Sequence, residues 1–184
     1  MKSTQRKIGL AVILLLSVLY SQIGMSSDRQ NGNACVAANL NQAFELQWNQ
    51  ARVLNPGSNP NTRFVTCAIT TGSQFMDHTD GLQFSSVESG SVVAVFMSDS
   101  APGAEVSCVF RELSSTSTGN AGSSTAVINI TADDPLPDTN SGSFLAAAGI
   151  AITIGSSLTL TCSLPPGTGI NTYNATHTYD FGPE

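Results

Sequence analysis

Little of this chain is charged or aromatic, and it is almost without histidine. Charged residues make up 11% of its 184 positions and aromatics 7%, with one tryptophan and two histidines. Lysine occurs only as Lys2 and Lys7. Beyond the first 25 positions no apolar run is long enough for a membrane-spanning helix, which takes roughly 20 residues. A polytopic helical membrane protein is therefore excluded. A hydrophobic content of 41% with so few charges also excludes a wholly disordered chain and a coiled coil. The length suits one domain with a leader to spare.

The motifs of common chemistries are missing as well. There is no G-x-S-x-G elbow and no H-E-x-x-H pair. His78 and His177 lie in opposite halves of the chain, and serine and threonine are too abundant for any one hydroxyl to stand out as a nucleophile. Gly119-Asn-Ala-Gly122 lacks the lysine and the strand-to-helix setting of a phosphate cradle. With a single tryptophan, a glycosidase cleft would be poorly furnished. The expectation is a non-catalytic protein without a cofactor.

What is present first is a leader. Lys2, Arg6 and Lys7 precede an apolar stretch from Ile8 to Tyr20, and a more polar Ser21–Ser26 follows. This is the order of a secretory signal peptide. Gly24 and Ser26 are small residues suited to positions −3 and −1 of a cut before Ser27. The expected division is residues 1–26 as signal peptide and 27–184 as one β-domain, secreted or periplasmic in a bacterium. Cys35 lies too far beyond the apolar stretch to be a lipoprotein cysteine. After cleavage, four arginines face 13 acidic residues, a charge of −9 with histidine neutral. Such a chain has no basic stripe for phosphates, so neither nucleic acid nor anionic membrane is an expected partner.

Cys35, Cys67, Cys108 and Cys162 are even in number and contain no C-x-x-C pair. In an exported chain they read as two disulfides. Three pairings are open. Cys35–Cys67 with Cys108–Cys162 is favoured, because the last two sit in strand-like segments of like apolar alternation.

Those segments dominate the rest of the chain. Period-two alternation marks Phe44–Trp48, Arg63–Ile69, Val92–Met97, Val106–Phe110, Thr125–Thr131, Ala147–Ile154 and Ser157–Leu164. The clearest is Leu158-Thr-Leu160-Thr-Cys162-Ser-Leu164, with one apolar and one hydroxylated face. A short helix within Ala37–Ala43 is the one helical candidate. Asn55–Pro60, Ser114–Ser124, Asp133–Asp138 and Leu164–Gly167 read as loops or turns. The pattern predicts an all-β fold, a single antiparallel β-sandwich or jelly-roll-like domain.

Few residues stand out as sites. Asp77 and Asp80 beside Gly81, and Asp133, Asp134 and Asp138 around two prolines, are weak calcium candidates. Neither run has the D-x-D-x-D-G spacing, so both are read as solvated turns and no metal is expected. Asn129 and Asn174 begin N-glycosylation sequons, but both lie in predicted strands and the leader is of bacterial type, so they are read as coincidental. The closing segment sets Tyr173, Ala175, His177, Tyr179 and Phe181 on one face. It reads as a core strand, or as an aromatic ladder for sugar stacking. Two roles follow. One is a structural or surface-interaction protein that associates through sheet edges lacking lysine, a usual edge blocker. The other is a carbohydrate-binding module using Trp48, Tyr173 and Tyr179, with His177 beside them.

The order Cys35, Asn55-Pro56, Phe64-Val65-Thr66-Cys67, Ser107-Cys108, Leu158 to Pro166, then Ile170 and Tyr173 resembles a group of small, uncharacterised exported proteins of Gram-negative bacteria. It covers most of the chain beyond the leader by spaced positions. The family pattern has proline after the second cysteine, where this chain has Ala68, and a glutamate near its end, here matched by Glu184. The resemblance implies an exported, disulfide-bonded β-domain and carries no activity with it.

Overall fold

The computed structural model describes residues 23–69, 84–113, 124–152 and 157–180. Leu158, Leu160, Cys162 and Leu164 are all fully buried, and the hydroxylated residues between them face outward. The same rule organises Arg63–Ile69, Glu105–Arg111 and Val127–Thr131 among the strands. In chain order the strands are β1 (Ile23–Asn31), β2 (Cys35–Ala37), β3 (Gln47–Trp48), β4 (Val53–Asn55), β5 (Arg63–Ile69) and β6 (Phe84–Phe96). Then follow β7 (Glu105–Leu113), β8 (Ser124–Thr131), β9 (Asp138–Ile152), β10 (Ser157–Leu164) and β11 (Thr168–Asp180). A 3-10 turn, Gly32–Ala34, joins β1 to β2, and one short helix, α1 (Leu40–Ala43), follows β2.

The strands form two antiparallel sheets. The first runs β3-β4-β11-β6-β9, with β1 also paired to β11, and the second runs β2-β5-β10-β7-β8. Their inner faces close on one core that includes Val53, Phe96 and Ile170 from the first sheet and Val65, Phe110 and Leu160 from the second. Each of these side chains contributes about 1.5–3 kcal/mol by leaving water. The fold is the all-β sandwich expected from the alternation.

Both disulfides lie in that core, and both join directly opposed residues of neighbouring strands in the second sheet. Cys35 on β2 pairs with Cys67 on β5, and Cys108 on β7 with Cys162 on β10. The favoured pairing is thus the observed one. The register also sets Cys67 beside Leu160 and Cys108 beside Ile128, so the sulfurs fill positions that apolar side chains take elsewhere.

Three sequence expectations change in detail. Phe44–Trp48 is not a five-residue strand. The Asn39 side chain accepts from the Asn41 N–H and starts α1, which leaves Phe44 at the helix C-cap and only Gln47–Trp48 extended. β9 begins at Asp138, well before the expected Ala147, through the polar run Asp138–Ser143. Gly142 explains why no apolar alternation marks it: a Cβ there would lie 2.5 Å from Ile128 Cγ2, because β8 side chains already fill that space. In β11, a bulge between Ile170 and Thr172 lets Ile170 and Tyr173 both face the core although they are three apart.

The turn from β10 to β11 carries the chain from one sheet to the other. The buried polar residues Asn55, Ser100 and Thr168 gather around it. Ser100 Oγ donates to the Gly167 carbonyl (2.7 Å), Thr168 Oγ1 to Pro165 (2.8 Å), and Asn55 Nδ2 to Leu164 (2.7 Å). Gly167 sits at φ +77°, where glycine is favoured.

Candidate functional site

Tyr173 is not available for sugar stacking. It is 2% exposed, and its hydroxyl donates across the sandwich to the Ala68 carbonyl (2.9 Å), with Gln30 Oε1 at 3.1 Å. Its ring is core, which corrects its reading as a binding residue. Trp48 on β3 is 39% exposed, and its indole N–H donates to the Cys35 carbonyl (3.2 Å). A fixed, half-open ring of this kind can present one face. His177 and Tyr179 lie on β11 opposite Ser26 and Gly24 of β1, so the fold does not bring them to Trp48 on β3.

Three of the acidic candidates lie among the described residues. Asp133, Asp134 and Asp138 belong to the β8–β9 connection, where the Asp138 carboxylate accepts from the Asp133 backbone N–H (2.8 Å) and closes the loop on itself. Asp77 and Asp80 lie outside the described residues, as does most of the Ser114–Ser124 loop. Among the described residues no group of three histidine, cysteine or acidic side chains is placed to hold a metal.

An open depression of about 490 Å³ lies between Phe44–Gln47, the segment that follows α1, and the β4–β5 loop. It is lined by Phe44, which is 95% exposed, and by Glu45, Asn59, Asn61 and Arg63. Sequence reasoning did not single out this group. An exposed aromatic beside amides and ions is the lining a sugar site would use. Its polar groups, however, mostly bind one another. Arg63 pairs with Glu45, and its guanidinium also donates to Asn59 Oδ1 (3.3 Å). Asn59 Nδ2 donates to Asn55 Oδ1 (2.9 Å), and the Asn61 N–H to Asn59 Oδ1 (3.2 Å). The network holds the Asn55–Pro60 loop in shape.

The second sheet has a patterned outer face. Its register aligns one row across all five strands and a second across four. Val36, Thr66, Thr161, Val109 and Val127 form one, and Phe64, Ser163, Ser107 and Asn129 form the next. These rows contain no charged residue, and apolar side chains lie exposed at both margins, Val36 on β2 and Val127 on β8. Glu105 and Arg111 of β7 flank them, in register with Thr131 and Ser124 of β8. A neutral face of this kind can pack against, or extend into, another ordered surface. It offers no group poised for bond-making.

The chain contains two disulfides, a chemistry of oxidising compartments outside the cytoplasm. No helix among the described residues is long and apolar enough to cross a membrane. No protein-family model and no curated protein matches the chain.

Proposed function

We propose that this is an exported, non-catalytic β-sandwich protein with a structural or surface-interaction role, released into the periplasm or beyond after removal of residues 1–26. The observation that carries the reading is the neutral outer face of the second sheet, bounded by exposed Val36 and Val127. The absence of lysine beyond Lys7 supports it, since sheet edges are usually guarded by lysine. The resemblance to small exported disulfide-bonded β-proteins is in keeping with it.

The alternative is carbohydrate binding, and it rests on Trp48 and on Phe44 over its open depression. The two readings separate by mass in solution. Oxidised protein recovered by export of the full-length chain is expected to scatter light as an oligomer on a sizing column. A monomer that is retained by a glycan column, and loses retention in Trp48→Ala, would favour the alternative.

A further inference from the structure

The geometry points to β8 as the strand through which two copies of this chain join, edge to edge and antiparallel, about a two-fold axis at Asn129. This rests on the assembly reading above and names its interface. Sheet edges attract other strands because their N–H and C=O groups are unpaired, and proteins guard them with charge, brevity or bulges. The other edges are guarded in these ways. β2 has three residues and β3 two, and β1 carries Asp28 and Arg29. β9 is interrupted, because Ala146–Gly149 intervene between Leu145 and Ile150 where β6 has only Glu88 between their partners.

β8 has none of these guards over most of its length. Ser124–Thr131 holds no charge, proline or glycine, and no described strand pairs with its far side. Its one register shift lies toward the Ser124 end and leaves Val127–Thr131 regular. Val127 is 56% exposed, Asn129 and Thr131 also face solvent, and Ile128 and Ile130 are buried in the core.

Two observations select a second copy as the partner. First, the strand is self-complementary about Asn129. A reversed copy sets Val127 against the partner's Thr131 and Ile128 against the partner's Ile130, so solvent-facing positions meet solvent-facing ones and core positions meet core ones. Second, β7 behind it carries Glu105 beside Thr131 and Arg111 beside Ser124. The antiparallel arrangement turns the arginine end of one copy toward the glutamate end of the other, whereas a parallel one would align like charges. Such an interface closes at two chains and joins the two second sheets into one of ten strands.

The test uses protein exported from the full-length chain, with its mass read by light scattering and sedimentation. Wild type is expected at twice the chain mass. Asn129→Lys alone and Asn129→Asp alone each set like charges against each other at the axis, and each is expected to weaken association by about tenfold or more. An equimolar mixture of the two is expected to restore the dimer as a heterodimer, an outcome that loss of folding could not produce. Val127→Lys is expected to dissociate the dimer, and Val36→Lys, at the opposite margin, to leave it intact. If wild type associates but N129K, N129D and V127K do so equally well, or if the mixture gains nothing, the β8 interface is overturned while the assembly reading stands. A wild type that stays monomeric at millimolar concentration overturns both.

Discussion

Asn55 has no place in a list of core residues drawn up from hydropathy, yet it is fully buried. Its amide donates to the carbonyls of Leu164 and Asn61 and accepts from Asn59, and its backbone carbonyl accepts from the Gly167 N–H. Truncation strands several of these groups in a dry site. Asn55→Ala is therefore expected to lower the unfolding free energy by about 2–4 kcal/mol, read from urea denaturation. Gly167→Ala brings a Cβ within 2.8 Å of the Ser100 backbone at a positive φ. It should cost about as much, roughly 2–4 kcal/mol, in the same measurement. Tyr173→Phe loses only the hydroxyl that ties β11 to Ala68 of β5, about 1 kcal/mol. Tyr173 also marks a limit of pattern reading. Alternation puts it on one face with Ala175, but the same pattern fits an exposed ladder. Only the second sheet lying over β11 turns that face into core.

At the scale of elements, alternation found the strands whose two faces meet different media. β10 and β5 were legible residue by residue, because one face packs and the other meets water. The short strands β2 and β4, and β1 next to the leader, were not. Three residues cannot show a period, and a strand held by a neighbour's register needs little propensity of its own. The disulfides belong to this scale too. Each closes a loop, with separations of 32 and 54 residues. In the chain-entropy account each is worth about 4 kcal/mol. Replacing Cys108 and Cys162 together by alanine should lower stability by about that amount, and replacing Cys35 and Cys67 by nearly as much. Denaturant midpoints of the two double variants check this.

At the scale of the whole molecule, the expected leader overlaps the first strand. The expected cut before Ser27 falls inside β1, which pairs Ile23–Ser26 with His177–Asp180 and Ser27–Asn31 with Thr172–Thr176. On the proposed export, the product is expected to begin at Ser27, which intact mass measurement reads directly, and to keep the second of these ladders. The candidate sites also resolve only at this scale. Trp48, Tyr173 and Tyr179 form a group in composition, but they lie at a half-open edge strand, in the core and at the end of the longest β11 ladder. The depression beside Phe44 unites Phe44–Gln47 with the β4–β5 loop, and no local pattern could have announced it.

By itself, the sequence determined the all-β class, the oxidised cysteines, the turn at Leu164–Gly167 and the faces of the longest strands. These are local matters, decided by the two-residue period of a strand, by proline and glycine, and by an even cysteine count. Tertiary structure alone decided that Tyr173 is core, that the polar start of β9 is a strand against Ile128 and Ile130, and that β8 is the end strand of the second sheet among the described residues. A strand's periodicity says which residues share a face. Which face is covered, and which edge stays open, depends on the elements that distant parts of the chain bring beside it.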